Sequence, residues 1–239
     1  MSRPVFIGMP THDARCAADI VRAIIAAMIS EECNFQTQSW SLLARNFNDL
    51  LSQAINDGRY RYFVMLHSDI IPQNPKWLTI LLDEMEATGA EILSVVSPIK
   101  NFRGVTSHAI IDPEEVDHDG IFVVPPINVK RYTMNEIMSL EPTFTNAALV
   151  VNSGLMVIDL KAPWIGKVWF EIKDSVIFED GKHKPVTISE DWLFSIRARR
   201  AGAKIFSTRK VKILHVGNHG FPNDVEYPDG LAEEGWKKS

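Results

Sequence analysis

The chain has 239 residues, 46% of them hydrophobic and 23% charged, which suits one large α/β domain with its own core and excludes disordered and fibrous classes. A formal net charge of -5 supplies no overall field toward nucleic acid or anionic lipid. Two cysteines, Cys16 and Cys33, without a CxxC pair or a Cys/His cluster, exclude a disulfide framework and a structural zinc, and Cys16 reads as a core residue. The apolar stretch Ile20 to Ile29 is broken by Arg22 and is too short to span a bilayer, so a cytoplasmic protein without a membrane span is expected.

Pro4 to Met9 begins as a short apolar strand and meets Pro10-Thr11-His12-Asp13, a turn whose Thr or Asp can cap a helix carrying Cys16, Ile20, Ile24 and Met28 at helical spacing. A second helix follows Ser41, with Leu43, Phe47, Leu50, Leu51 and Ala54 on one face and Asn56-Asp57-Gly58 as its end. Tyr62 to Leu66 is an apolar run of strand length that stops on His67-Ser68-Asp69. Pro75 opens a third helix bearing Trp77, Leu78, Leu81, Leu82 and Met85, stopped by Gly89 before the strand Ile92 to Val96. The first hundred residues thus read β-α-α-β-α-β, the alternation of a mostly parallel sheet covered by helices.

From Arg103 to about Asn146 the pattern breaks into polar pieces with short β-like runs such as Ile121 to Val124. Ala147 to Val151 and Leu155 to Ile158 read as strands joined through Asn152-Ser153-Gly154, where Gly154 serves either a hairpin turn or a close backbone approach. Ser189 is placed to cap a helix running to Ala201, Val211 to Leu214 forms a last strand ending on His215, and residues 221–239 read as a polar tail behind a domain spanning 1–220.

An acid delivered to the carboxyl end of a buried strand is a site-building arrangement in open α/β sheets, although Asp69 with Pro72 after it also suits a plain turn. Four segments, Ser41 to Asn46, His67-Ser68-Asp69, Asn152 to Met156, and Ser189 to Trp192 followed by His215, together resemble the GT-A glycosyltransferases, especially small stand-alone family-2-like members from bacteria and phages. The resemblance spans roughly Val5 to Gly217 and implies a Rossmann-like GT-A fold in a single domain. In that family an Asp-x-Asp motif ends a central strand and its last carboxylate holds a divalent cation on the donor diphosphate; Asp69 matches it, while His67 stands where the first acid is expected.

The resemblance further implies that His215 completes a metal site for Mn²⁺ or Mg²⁺, and that Asp191, with Glu190 second, takes the proton of the acceptor hydroxyl. Acids in a first helical turn also favour the helix dipole without any catalysis. Arg45 and Asn46 match a pair that approaches the nucleotide, and Pro10, Thr11 and His12 lie where the family's loop surrounds base and ribose. His67, Ser68, Lys100 and Gly154 complete the expected donor contacts, Trp192 offers an acceptor platform or packing, and His219 is a neighbouring imidazole without a role.

The implied reaction is sugar transfer from a nucleotide-diphosphate donor, a UDP-sugar by resemblance, to a hydroxyl acceptor, with inversion preferred and retention the alternative. A non-catalytic nucleotide-sugar binding module and a nucleotidyltransferase are the rivals, the latter lacking its Gly-rich basic loop, since Gly8-Met9-Pro10-Thr11-His12 stands there. The acceptor is a glycan or, as a lesser expectation, hydroxymethylated bases of phage DNA, on account of Arg197, Arg199, Arg200, Lys204, Arg209, Lys210 and Lys212.

Overall fold

The structure is a computed structural model that describes residues 3–12, 15–101, 103–112, 127–217, 220–226 and 237–238. The run Ile121 to Val124, Asp13 and His219 lie outside the described residues.

The amino-terminal half builds β1 (Val5–Thr11), α1 (Ala18–Ser30), β2 (Cys33–Ser39), α2 (Leu43–Asp57), β3 (Tyr62–Leu66), β4 (Ile70–Pro72), α3 (Trp77–Thr88) and β5 (Ile92–Val95). It therefore holds two more strands than the sequence pattern indicated. β2 is a polar edge strand without a hydrophobic run, and β4 has three residues, too few to carry a period. α2 and α3 end as expected, each on a glycine in the left-handed conformation, Gly58 at φ 72° and Gly89 at φ 66°. The first helix departs from expectation: it starts at Ala18 without a side-chain cap, and buries Ile20, Ala23, Ile24 and Ala27. Cys16 precedes it and is exposed, and Met28 lies half exposed, so neither belongs to the core.

Beyond β5 come β6 (Val105–Ile111), β7 (Asn128–Thr133), α4 (Met134–Met138), β8 (Thr143–Phe144), β9 (Leu149–Val150), β10 (Leu155–Asp159), β11 (Lys173–Glu179), β12 (Lys182–Ile188), α5 (Glu190–Arg200), β13 (Ile205–Thr208), β14 (Ile213–Val216) and β15 (Gly220–Pro222). The central sheet has seven strands in the order β2-β1-β3-β10-β5-β13-β8. β2, β1, β3, β5 and β13 run the same way, while β10 is antiparallel to both of its neighbours. The architecture is the expected mostly parallel α/β sheet flanked by helices.

Alternation along each strand divides the core between the two faces of the sheet. Val5, Ile7, Met9, Val64 and Val157 pack with α1 and α3, whereas Phe6, Phe63, Met65 and Met156 pack with α2 and with Phe194 of α5. A third apolar cluster, around Ala109, Val150, Trp192 and Ile196, lies where α5 meets β6, β7 and β9. The residues after 220 begin as part of the fold. Phe221 is buried, and Asn223 donates to the carbonyls of Val96 and Val211, 3.1 Å each, while accepting from the Ile213 amide at 2.8 Å.

This topology gathers four chain segments at one edge of the sheet. The parallel strands β1, β3 and β5 end there, and β10, running the other way, begins there. The His67 amide donates to the Gly154 carbonyl at 2.8 Å, which ties the end of β3 to the start of β10. β14 then pairs with β4, setting His215 opposite Ile70, and the Val216 amide donates to the Asp69 carbonyl at 2.7 Å.

Candidate functional site

A cleft of 290 Å³ opens at this edge. Pro10, Thr11 and His12 after β1 form one wall, Trp40, Ser41, Leu43 and Asn46 another, and His67, Ser68 and Asp69 the floor. Six of the predicted donor residues, namely Pro10, Thr11, His12, Asn46, His67 and Ser68, thus share one cavity. Asn46 is buried at its base and holds two walls together by donating to the Thr11 carbonyl at 3.4 Å and the Trp40 carbonyl at 3.2 Å. Its Oδ1 is buried without a hydrogen-bond partner. The Arg45 guanidinium stacks 4.1 Å from the ring centre of Trp40, a cleft-wall residue.

His67 is enclosed, its ring 5.0 Å from that of Phe47 and its Nε2 3.4 Å from the Ser153 hydroxyl. Burial lowers its pKa, with Asp69 and Asp191 pulling the other way, so it is a neutral hydrogen-bonding group at neutral pH. Burial alone would raise the Asp69 carboxyl, but hydrogen bonds from His215 and Lys100 outweigh it and hold the group well below the usual carboxylate range. Lys100 lies on the loop after β5 and forms an ion pair with Asp69 Oδ2.

His215 points its Nε2 at Asp69 Oδ2 from 3.7 Å, while its Nδ1 lies 2.7 Å from the Pro98 carbonyl. A carbonyl only accepts, so Nδ1 carries the hydrogen, and Nε2 faces the carboxylate as a donor when the ring is charged and as a lone pair when it is neutral. Asp69 Oδ1 is buried and has no hydrogen-bond partner. With the ring neutral and Lys100 displaced from Oδ2, the imidazole and the carboxylate form a donor set suited to a hard or borderline cation. Among the described residues no three His, Cys, Asp or Glu side chains gather closely enough to hold a metal by themselves, so further ligands would have to come from a bound molecule and water.

The acidic pair opens α5 as predicted, with Ser189 at the N-cap position but making no side-chain capping bond. Asn152 donates from Nδ2 to Asp191 Oδ2 at 3.1 Å and accepts from the Gly154 amide at 2.7 Å, so its amide has one orientation and fixes the Asp191 carboxylate. Burial, reinforced by the Asp191 charge, pushes the Glu190 carboxyl up to about 7.

Asn152-Ser153-Gly154 is not a hairpin turn, since β9 pairs with β6 and β10 lies in the central sheet. The glycine is required by close approach: a Cβ there would lie 2.6 Å from Asn152 Oδ1 and 3.2 Å from Ile70 Cγ1. Because the Asn152 side chain is held at both ends, Gly154→Ala should cost about 1–3 kcal/mol. A shift of the urea midpoint measures it, and an unchanged midpoint would mean that Asn152 swings away freely.

Trp192 is packing rather than platform, buried with its indole N–H on the Ser107 carbonyl at 3.0 Å. Arg131, which the sequence pattern did not single out, lies 4.4 Å from the Trp192 ring centre and its charge acts on Asp191. The basic residues of the last third are dispersed. Arg197, Lys210 and Lys212 pair with Glu171, Glu84 and Asp224, and Arg199 and Arg209 donate to backbone carbonyls.

No helix among the described residues is long and apolar enough to cross a membrane. No protein-family model matches the chain, and no curated protein matches it in sequence. Among solved structures the chain is similar to S. aureus TarS 1-349, at 12% identity over 88% of this chain and 58% of that one with a TM-score of 0.44, so it spans little more than half of that chain. It is also similar to the nucleoside-diphosphate-sugar pyrophosphorylase from Vibrio cholerae RC9, at 12% identity over 87% and 72% of the two chains with a TM-score of 0.33. Neither score is high enough to bear on function. A197 from STIV is similar over 98% of both chains, with a TM-score of 0.51 and 12% identity, and this likeness shows the fold alone.

Proposed function

We propose that this protein is a metal-dependent GT-A glycosyltransferase that moves a sugar from a nucleotide-diphosphate donor, a UDP-sugar, to a hydroxyl acceptor with inversion. The observation that carries the reading is Asp69, which lines the cleft floor with its Oδ2 facing His215 and its Oδ1 buried beside it without a partner. Asp69 and His215 would hold Mn²⁺ or Mg²⁺, which when bound neutralises charge accumulating on a departing diphosphate. Thr11, His12 and Asn46 enclose the nucleoside, and His67 and Ser68 line the passage toward the reacting centre.

The acceptor oxygen forms a bond to the anomeric carbon as the bond to the diphosphate oxygen breaks and its electron pair leaves with the nucleotide. The acceptor proton passes to Asp191, which Asn152 keeps in place. Glu190, ionising near neutrality, sets the charge of the pair.

The test is release of free nucleotide from a panel of nucleotide sugars with Mn²⁺ or with EDTA, for the native chain and Asp191→Asn. Release from one donor that needs metal and falls at least ~100-fold in the variant supports transfer and identifies the sugar. Binding of a nucleotide sugar without release under any condition would favour a binding module, and no binding at all would overturn the donor cleft.

A further inference from the structure

β2 closes one side of the central sheet, and among the described residues it pairs only with β1. Its seven residues, Cys33-Asn34-Phe35-Gln36-Thr37-Gln38-Ser39, contain no charge, no proline and no register break, so the edge lacks the devices that normally keep strands from adding to one another. Beside it α1 turns an uncovered apolar stripe outward: Val21 is 42% exposed, Ile25 52%, Met28 50% and Ile29 81%. Between stripe and strand lies an apolar groove of 290 Å³, floored by Met9 and Ile24 and rimmed by Ile25, Met28, Phe35 and Thr37.

We propose that this side of the molecule is a self-association surface, on which a second copy of the same chain adds its β2 antiparallel to the first and packs its α1 against the first α1. The bare backbone edge calls for a strand, and the adjacent stripe calls for an apolar helix at one layer's distance from that strand. The chain itself presents both in that arrangement. A two-fold axis through Gln36 sets Asn34 opposite Gln38 of the partner, so every amide meets an amide, and Phe35 opposite Thr37. β2 carries no charge, and Asp19 and Arg22 beside the stripe pair with each other at 2.8 Å, so a second copy meets no net charge there.

Seven residues at about 3.3 Å each, under layers totalling about 20 Å, give a footprint of about 460 Å² per copy and about 900 Å² in all. That is near the lower limit of about 1,000 Å² for a specific interface, so the dimer is a weak one that forms in the micromolar range.

Sedimentation of the native chain from about 1 to about 500 µM should show the weight-average mass rising from one chain toward two. Ile25→Glu and Gln36→Lys, both at solvent-exposed positions, should each hold the mass at one chain while leaving the thermal midpoint unchanged. In the native chain, amide exchange of Asn34 to Gln38 should slow at least several-fold across the same concentrations, a readout that needs no variant. A one-chain mass throughout, dimerisation of either variant as in the native chain, or exchange in β2 independent of concentration would overturn the proposal. Since none of these measurements uses a donor or an acceptor, their outcome is separate from that of the glycosyltransferase reading.

Discussion

Replacing Asp69 with alanine is expected to lower metal-stimulated nucleotide release by about 1,000-fold while leaving the protein folded. A cation acting on a developing diphosphate charge is worth several kcal/mol, and each 1.4 kcal/mol is about tenfold in rate. The substitution removes both the orphaned Oδ1 and the oxygen that faces His215. It also releases Lys100, leaving a cation where a cation ligand had been. Calorimetric titration of Mn²⁺ in the presence of the nucleotide diphosphate should lose its heat in Asp69→Ala and weaken about tenfold or more in His215→Ala. Native rates and native metal affinity in Asp69→Ala would sink the proposed cation site.

Glu190→Gln should stabilise the protein at pH 8 while impairing turnover. Its carboxyl is held up at about 7 in the folded chain against 4.5 in the unfolded one. A raised carboxyl contributes stability that is complete below 4.5 and is lost as pH rises through 7. The interval from 4.5 to 7 bounds the effect at about 3 kcal/mol, and partial solvation reduces the expected gain to about 1–2 kcal/mol at pH 8. At pH 4 the difference between variant and native should vanish. His108 works in the opposite direction: burial holds it at about 3, so its stabilisation is complete above 6.5 and fades as pH falls toward 3. It is common to both chains and cancels in the difference. Urea unfolding at pH 4, 6 and 8 measures that difference, and equal values at all three would remove the buried-carboxyl account. Turnover should drop about 100-fold or more and lose its limb near pH 7.

Local signals were legible where one element decided its own fate. α2 and α3 declared themselves through an apolar face of helical period and a glycine stop, and β3 through an unbroken buried run ending on polar residues. What could not be read depended on partners distant in sequence. Cys33–Ser39 forms a strand because β1 lies beside it, and Leu155–Asp159 runs antiparallel because its neighbours are residues 62–66 and 92–94.

The same division holds for the candidate site. Asp69, Asn152, Asp191 and His215 could be picked out as polar residues at element ends, and the sheet edge brings these ends together. Trp40 and Arg131 escaped notice because each acts by stacking, Trp40 under Arg45 and Arg131 over Trp192, and stacking across elements leaves no periodic trace. Asn223 escaped for a related reason, since three hydrogen bonds to remote backbone make it a core residue in a stretch that is polar by composition.

The antiparallel strand inside the sheet also orders events during synthesis. β3 and β5 meet only through β10, and β13 joins the sheet at the far side of β5. A nascent chain that has emerged through Val95 therefore leaves Tyr62–Leu66 short of one neighbour until residues 155–159 follow, and Ile92–Val95 short of both until residues 205–208 follow as well. Closing a gap between strands so far apart along the chain is slow, because the loop entropy is lost before the pairing is gained. The half-made chain, with its most apolar strands unpaired, is the stage at which strand addition between molecules competes with folding. The segment that seals the sheet follows directly on Asn152 and Gly154, so the hydrogen bond from His67 to Gly154 beside the cleft floor forms in the same step.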